Sequence, residues 1–420
     1  MLSGFVQTLR KQGGIAFLIL RDVTSTVQTV IIKSNTDAFT TIQDLSLESV
    51  VTIVGESKEN PQAPNGIEVL VETIEVLSKA EPELPIPVDE KGESETNLDT
   101  RLDWRYLDLR KEKSILIFKV WTTLEQAFRE YCIGNDYIEI HSPKTVVTST
   151  ESGSELFQID YFGQKAYLAQ SPQFYKQMAM AAGFEKVFEV GPVFRANPSS
   201  TSRHDTEFTM YDIEKSFITS HHDLLDEEEK MMVAILTAIK DKYSKEIKEI
   251  YNQDIEVPQQ PFPRVTFREV KKILAQQNVP SEKKDDLSPE EERAICEYFK
   301  NKEGNDFVFV HEFPTASRAF YSMRDEKDPT ITKSFDLLYR GLEITSGAQR
   351  EHRYEQLKSQ IKEKGFKLEP FESYLNFFKY GCPPHGGFAP GPSRLLMKIL
   401  GLTNVREVTY IYRGVKRLTP

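Results

Sequence analysis

Cysteine is scarce in this chain: three in 420 residues, Cys132, Cys296 and Cys382, each far from the others. They form no C-x-x-C pair and no framework of bridges, which excludes a disulfide scaffold and leaves no structural zinc site to expect. Long apolar runs are missing too. None reaches the roughly 18 residues of a membrane-spanning helix. The opening MLSGFVQTLRKQGG lacks the apolar core of a secretory signal, so a cytoplasmic chain is expected. Positive charge is in short supply, with 53 Lys+Arg against 64 Asp+Glu and a net charge of −11. That balance argues against holding nucleic acid by bulk electrostatics; an RNA partner would have to meet local basic or aromatic surfaces. Neither a Walker A loop nor G-x-G-x-x-G is present, so the familiar nucleotide-binding folds do not compete.

What is present reads as a globular chain of two domains. Apolar residues make up 39% and charged residues 28%. Residues 1–78 hold short apolar or alternating runs, AFLILRD, VQTVIIK, VVTIVGE and IEVLVETIEVL, separated by Gly, Asn, Asp and Pro. This pattern predicts a small five-stranded Greek-key barrel of the OB-fold type. Residues 79–100 are acidic and proline-bearing, which predicts a linker. From residue 101 to the C-terminus the pattern is α+β. Ile117, Trp121, Leu124, Phe128 and Tyr131 are spaced four, three, four and three, as on one face of a helix. Strand-like runs follow, with helices predicted near 222–247, 267–277, 289–301 and 352–364. Ser288-Pro289-Glu290-Glu291 is a strong helix start, with an N-cap serine and glutamate three residues on. A mainly antiparallel sheet flanked by helices is expected.

The block VFEVGPVFRANPSSTSRHDTEFTMYDIEKSF, residues 187–217, reads as two strands joined by a polar loop. Phe208, Met210, Asp212 and Glu214 share one face of the second strand. An aromatic ring and two carboxylates beside Arg195, Arg203 and His204 could hold a nucleoside triphosphate, with arginine on phosphate and ring on base. Composition alone fits a surface hairpin laced with salt bridges equally well.

The arrangement F-R-A-x(6)-R-H-x-x-E-F resembles motif 2 of the class II aminoacyl-tRNA synthetases. Further blocks extend the resemblance over nearly the whole chain, most closely to the aspartyl branch of archaeal and eukaryotic type. The resemblance implies an OB-fold anticodon-binding domain at 1–78, a hinge at 79–100 and a catalytic domain at 101–420. It implies that Arg195 grips the α-phosphate of ATP, that Arg203 and His204 approach the distal phosphates, and that Phe208 stacks on adenine. YLAQSPQFYKQ resembles the branch's amino-acid pocket, which implies that Lys176 pairs with the aspartate side chain and Gln173 with its ammonium group. On its residues alone, Ser171-Pro172 could equally start a helix that carries a solvated lysine. SFDLLYRGLEITSGAQREH resembles a third motif, implying that Asp336, Glu343 and Ser346 hold Mg²⁺ on ATP and that Arg350 grips aspartate. Asp336 and Glu343 have opposite parity, and Arg340-Gly341 between them allows a turn or bulge to bring both inward.

Thr150-Glu151-Ser152-Gly153 resembles a mobile S-E-G-G loop and makes Glu151 a candidate for the ammonium group. DYIEIHSPK resembles motif 1, which implies that Pro143 lies at the interface of a homodimer. The C-terminal block resembles motif 3, with Arg394 matching the arginine that holds the γ-phosphate. Departures from the family pattern fall at Asn197, Pro392, Ser393 and Gly414. In the barrel, Phe17 and Gln28, with Glu68 as a third candidate, match the anticodon-reading positions; Phe17 in AFLIL could equally be barrel core. The implied activity joins aspartate to tRNA-Asp in two ATP-dependent steps without a protein nucleophile. The rivals are an asparagine-activating relative, an asparagine synthetase on the same fold, and an inactive RNA-binding paralogue.

Overall fold

The computed structural model describes residues 1–89, 95–147, 155–198 and 201–420. The chain divides into two compact units, Met1–Ile115 and Leu116–Pro420. Among the described residues no helix is long and apolar enough to cross a membrane.

The first unit holds a closed barrel of β1 (Leu2–Gln12), β2 (Ile15–Arg21), β3 (Thr26–Ile32), β4 (Val50–Glu59) and β5 (Ile67–Ser78), in the order β1-β2-β3-β5-β4. Alternation along β2 sends Ala16, Leu18 and Leu20 inward, where they pack with Val6, Ile31, Val51 and Ile53. The stretch expected as a linker is more than that. Ile86 and Val88 bury against Leu107, and helices Leu98–Asp103 and Arg105–Asp108 follow. Asp108, fully buried, takes Arg101 at 2.9 Å and Arg105 at 2.7 Å. Those ion pairs lie beyond residue 100; among the described residues of 79–100 only Ile86 and Val88 are buried, so the segment keeps the composition of a linker.

The second unit is built on an eight-stranded sheet. Its strands are β6 (Ile138–Glu139), then, after a three-stranded sheet of β7 (Thr145–Val146), β8 (Gln158–Tyr161) and β9 (Gln164–Leu168), the hairpin β10 (Lys186–Phe194) and β11 (Glu207–Ser216). β12 (Arg264–Thr266), β13 (Phe307–His311), β14 (Ser334–Tyr339), β15 (Leu342–Gln349) and β16 (His385–Pro390) complete it, in the order β12-β13-β14-β15-β16-β11-β10-β6. Most neighbours are antiparallel; β6 with β10 and β12 with β13 are parallel.

Period-2 alternation gives this sheet two different faces. Phe188, Tyr211, Ile213, Phe335, Leu337 and Phe388 point to the back, against helices Glu112–Gly134 and His222–Tyr251. Phe128 of the first helix stacks on Tyr211 at 4.5 Å between centroids. Each such ring, fully buried, contributes roughly 1.5–3 kcal/mol. Helices Phe267–Gln276 and Pro289–Glu303 pack Val270, Leu274, Ile295 and Phe299 with Val308, Val310 and Leu338 on the front. The capping box expected at Ser288 is formed: its side chain accepts from Glu291 N, and the Glu291 carboxylate accepts from Ser288 N. The rest of the front face is left for the cleft.

Candidate active site

A cleft of about 390 Å³ lies on the front face. Its floor is the β10–β11 hairpin, whose register pairs Val193 with Phe208 and Phe194 with Glu207. Alternation then aims Phe208, Met210 and Asp212 into the cleft, while Tyr211 and Ile213 join the back core. Arg195 follows the last residue of β10, and its backbone N donates to Thr206 O at 2.9 Å. Its guanidinium lies 5.4 Å from the Phe208 ring centroid. Arg203 reaches helix Pro289–Glu303 and pairs with Glu292 at 3.0 Å. His204 Nδ1 is 2.5 Å from Thr201 Oγ1. Burial, then the positive charges of Arg394 and Arg203, push its pKa down to about 4. The loop therefore brings two cations and one neutral imidazole to the cleft at pH 7.

The β14–β15 hairpin supplies carboxylates. Tyr339 pairs with Leu342, so Arg340 (φ 46°) and Gly341 (φ 77°) form a two-residue turn with both backbones left-handed. The turn sets Glu343 opposite Leu338, on the face that Asp336 shares, which resolves the parity conflict. A register shift between Leu337 and Leu338 leaves Ile344 unpaired and puts Ser346 opposite Asp336. The structure thus brings Asp336, Glu343 and Ser346 to one face. It also places Arg318 on them: the guanidinium holds both Asp336 oxygens, at 2.9 and 2.5 Å, and Ser346 Oγ at 3.1 Å. Arg318 lines the cleft where Asp336 does not. Burial pushes the Asp336 carboxyl up to about 6, against the pull of Arg318.

Helix Pro392–Ile399 begins at the cleft, with Pro392 in its first turn and Gly391 as N-cap. Arg394 donates to Glu343 O at 2.9 Å and lies 3.3 Å from Glu343 Oε1. Ser393 and Asn197, two of the departures, line the same cleft. Gly414, a third, sits in a bridge to Arg417, where a Cβ would lie 2.1 Å from Tyr412 Oη. A side chain there would have to displace that ring.

The inner end of the cleft is a buried charge quartet. Helix Gln173–Ala181 begins after Ser171-Pro172, yet Lys176 is not solvated. It is wholly buried, 2.8 Å from Asp212 and 3.4 Å from Glu214, and its Nζ is 3.3 Å from Ile213 O. Lys176 stands behind Asp212 and is not among the lining residues; Asp212, Gln173 and Arg350 are. Arg350 grips Glu214 through Nε at 2.9 Å and donates to Gly387 O at 3.0 Å. Burial works against the Glu214 carboxylate, but Arg350 and Lys176 outweigh it and hold its pKa below the ordinary range. Gln173 Nε2 is buried without a hydrogen-bond partner, as expected of a donor facing a ligand position.

Other expected residues lie elsewhere. Glu151 falls outside the described residues. Pro143 is exposed between β6 and β7. In the barrel Phe17 is not core: it is half-buried on the outer face. Ile19, on the same face of β2, pairs with Gln28, and Gln28 Nε2 donates to Glu68 at 3.2 Å. All three barrel candidates therefore share one outer surface. Sequence reasoning missed Arg318 and Glu292, whose letters carry no motif and whose partners are 18 and 89 residues away.

An antiparallel sheet with arginines at one end of a cleft and a buried charge quartet at the other defines a class II synthetase. The model for tRNA synthetases class II (D, K and N) matches residues 97–412, and that for an OB-fold nucleic acid binding domain matches residues 1–77. The chain belongs to the class II tRNA synthetases of the D, K and N group. It is 44% identical to aspartate–tRNA(Asp/Asn) ligase of Methanopyrus kandleri and 42% identical to aspartate–tRNA(Asp) ligase of Pyrococcus furiosus, covering all of this chain and 95% of each. Among solved structures, asparaginyl-tRNA synthetase of Pyrococcus horikoshii with asparaginyl-adenylate superimposes with a TM-score of 0.92 at 34% identity, covering 100% of this chain and 95% of that one. Aspartyl-tRNA synthetase of Entamoeba histolytica does so with 0.89 at 34% identity, covering 100% and 89%.

Proposed function

We propose that the protein is an aspartate–tRNA ligase that activates L-aspartate with ATP and transfers it to the 3′-terminal adenosine of tRNA-Asp. The observation that carries this reading is the pairing of an arginine-lined outer end with buried Lys176 and Arg350 at the inner end of one cleft. In the first step an aspartate α-carboxylate oxygen attacks the α-phosphorus of ATP and pyrophosphate leaves. Arg195 faces the α-phosphate, where charge develops, while Arg203, His204 and Arg394 hold the distal phosphates and Phe208 stacks on the base. In the second step a terminal ribose hydroxyl of tRNA attacks the activated carbonyl and AMP leaves. The chain positions both reactions and needs no nucleophile of its own.

Arg350 receives the substrate side-chain carboxylate with Lys176 behind it; Asp212 and Gln173 face the ammonium group, with Glu151 as a further partner. Glu343, Ser346 and, once Arg318 is displaced, Asp336 offer hard oxygen ligands that fit Mg²⁺. That ion, when bound, neutralises phosphate charge. Phe17, Gln28 and Glu68 form a surface on which unpaired anticodon bases can stack and hydrogen-bond. Pro143 lies on the face of a homodimer, and the enzyme works in the cytoplasm. Aspartate-dependent ATP–pyrophosphate exchange, followed by aspartylation of a tRNA-Asp transcript, tests the whole reading. Both are expected. A folded protein that exchanges with neither aspartate nor asparagine overturns it in favour of an inactive RNA-binding paralogue.

A further inference from the structure

Three histidines converge behind the sheet, on the face away from the cleft. His221 caps and His222 opens the 30-residue helix His222–Tyr251, and His311 ends β13. His311 pairs in register with Phe335, whose ring packs in the back core, whereas the next pair, Val310 with Asp336, belongs to the front. The cluster is therefore separate from the site described above. One ligand atom from each ring lies within 4.8 Å of the others. His221 Nε2 and His311 Nδ1 are 3.5 Å apart. Two nitrogens bound to one tetrahedral zinc at about 2.0–2.1 Å stand about 3.4 Å from each other. His222, exposed at the first helical position, offers the third nitrogen of that group.

The surroundings favour a cation over an anion. Backbone N–H groups at the helix start, which would attract an anion, are already taken: His222 N donates to Ser220 Oγ at 3.0 Å and Asp223 N to Ser220 O at 3.2 Å. Arg264, the neighbouring guanidinium, is neutralised by Asp226 at 2.5 Å and Glu229 at 2.7 Å. A Glu312 carboxylate oxygen lies 3.6 Å from His311 Nδ1, and Lys333 places a positive charge near His221. His221 is 6% exposed, and its Nδ1 is buried with no hydrogen-bond partner. The contact with His311 serves one of its nitrogens and strands the other, whichever tautomer is present.

We propose that His221, His222 and His311 form a three-imidazole site for a divalent transition-metal ion of the zinc type, pinning the start of the long helix to the end of β13. Its nitrogen donors separate it from the hard-oxygen set at Glu343 and Ser346. The test is titration of the full-length chain with Co²⁺, followed by displacement with Zn²⁺. The wild-type protein is expected to take up one equivalent with the visible bands of low-coordinate cobalt, and Zn²⁺ is expected to bleach them and raise the melting temperature. His222→Ala, at an exposed position, and His311→Asn should each weaken that equivalent by at least about 100-fold and abolish the Zn²⁺-dependent rise. Aspartate-dependent exchange by His222→Ala without added zinc should be unchanged. Failure of the wild-type chain to bind Co²⁺, or cobalt bands that persist in both variants, overturns the proposal.

Discussion

The two ends of the cleft use the same chemistry at different depths. At the inner end the side chains of Lys176, Asp212, Glu214 and Arg350 are 1%, 3%, 0% and 7% exposed. At the outer end Arg203 and Arg394 are 20% and 21% exposed, and Glu343 is 36% exposed. Burial sets how much a partner matters. An exposed pair is screened and contributes about 0–1 kcal/mol, whereas removing one member of a buried pair leaves an uncompensated charge at a cost of about 3–5 kcal/mol. At the outer end Arg394 can therefore exchange Glu343 for a phosphate with little loss, whereas Arg203 sits on the buried Glu292. The inner end must match charge for charge, which suits it to choosing between a carboxylate and an amide.

The largest expected effect breaks the inner end. Lys176→Ala should lower aspartate-dependent exchange by about 10⁴-fold and destabilise the fold by about 3–5 kcal/mol, with ATP binding retained by calorimetry. Arg394→Ala is the matching change outside. Exchange should fall about 10²–10³-fold, while stability moves by no more than about 1 kcal/mol in denaturant. Equal stability losses in the two variants would abolish the distinction between the ends.

A pH series sharpens the comparison. His385, wholly buried on β16, has Nε2 3.0 Å from Gln177 Nε2, and burial pushes its pKa down to about 4. The unfolded chain takes up this proton near 6.5, so the neutral ring stabilises the fold above that pH. The contribution is lost as pH falls from about 6.5 to about 4, by about 3 kcal/mol. His385→Gln should remove that share of the acid-side slope and leave the shares of His204, His221 and His311. The smallest effect lies outside the cleft. Phe17→Ala should raise the KM for tRNA by about tenfold, the equivalent of one lost base stack, and leave exchange unchanged.

What could be read beforehand follows the range of each interaction. The barrel, the alternation that aims Phe208, Met210 and Asp212 into the cleft, the capping box at Ser288 and the turn at Arg340-Gly341 depend on near neighbours in the chain, and all are formed. Arg318 on Asp336 and Arg203 on Glu292 depend on strands and helices brought together by the fold. The packing of residues 79–100 was opaque because Ile86 and Val88 are isolated apolar letters in an acidic, proline-bearing run. The histidine cluster was opaque because His221 and His311 are 90 residues apart and alternate with no periodic signal. A low cysteine count speaks only to thiolate sites.

The central claim is that a buried quartet, balanced before substrate arrives, selects a carboxylate side chain. Asparagine would bring its ammonium charge into that balanced set with no side-chain carboxylate to offset it, leaving an uncompensated charge in a dry site at a cost of several kcal/mol. The direct measurement is kcat/KM for ATP–pyrophosphate exchange with aspartate and with asparagine on the same preparation. The account predicts a preference for aspartate of about 10⁴-fold. A ratio near one, or a preference for asparagine, would contradict it.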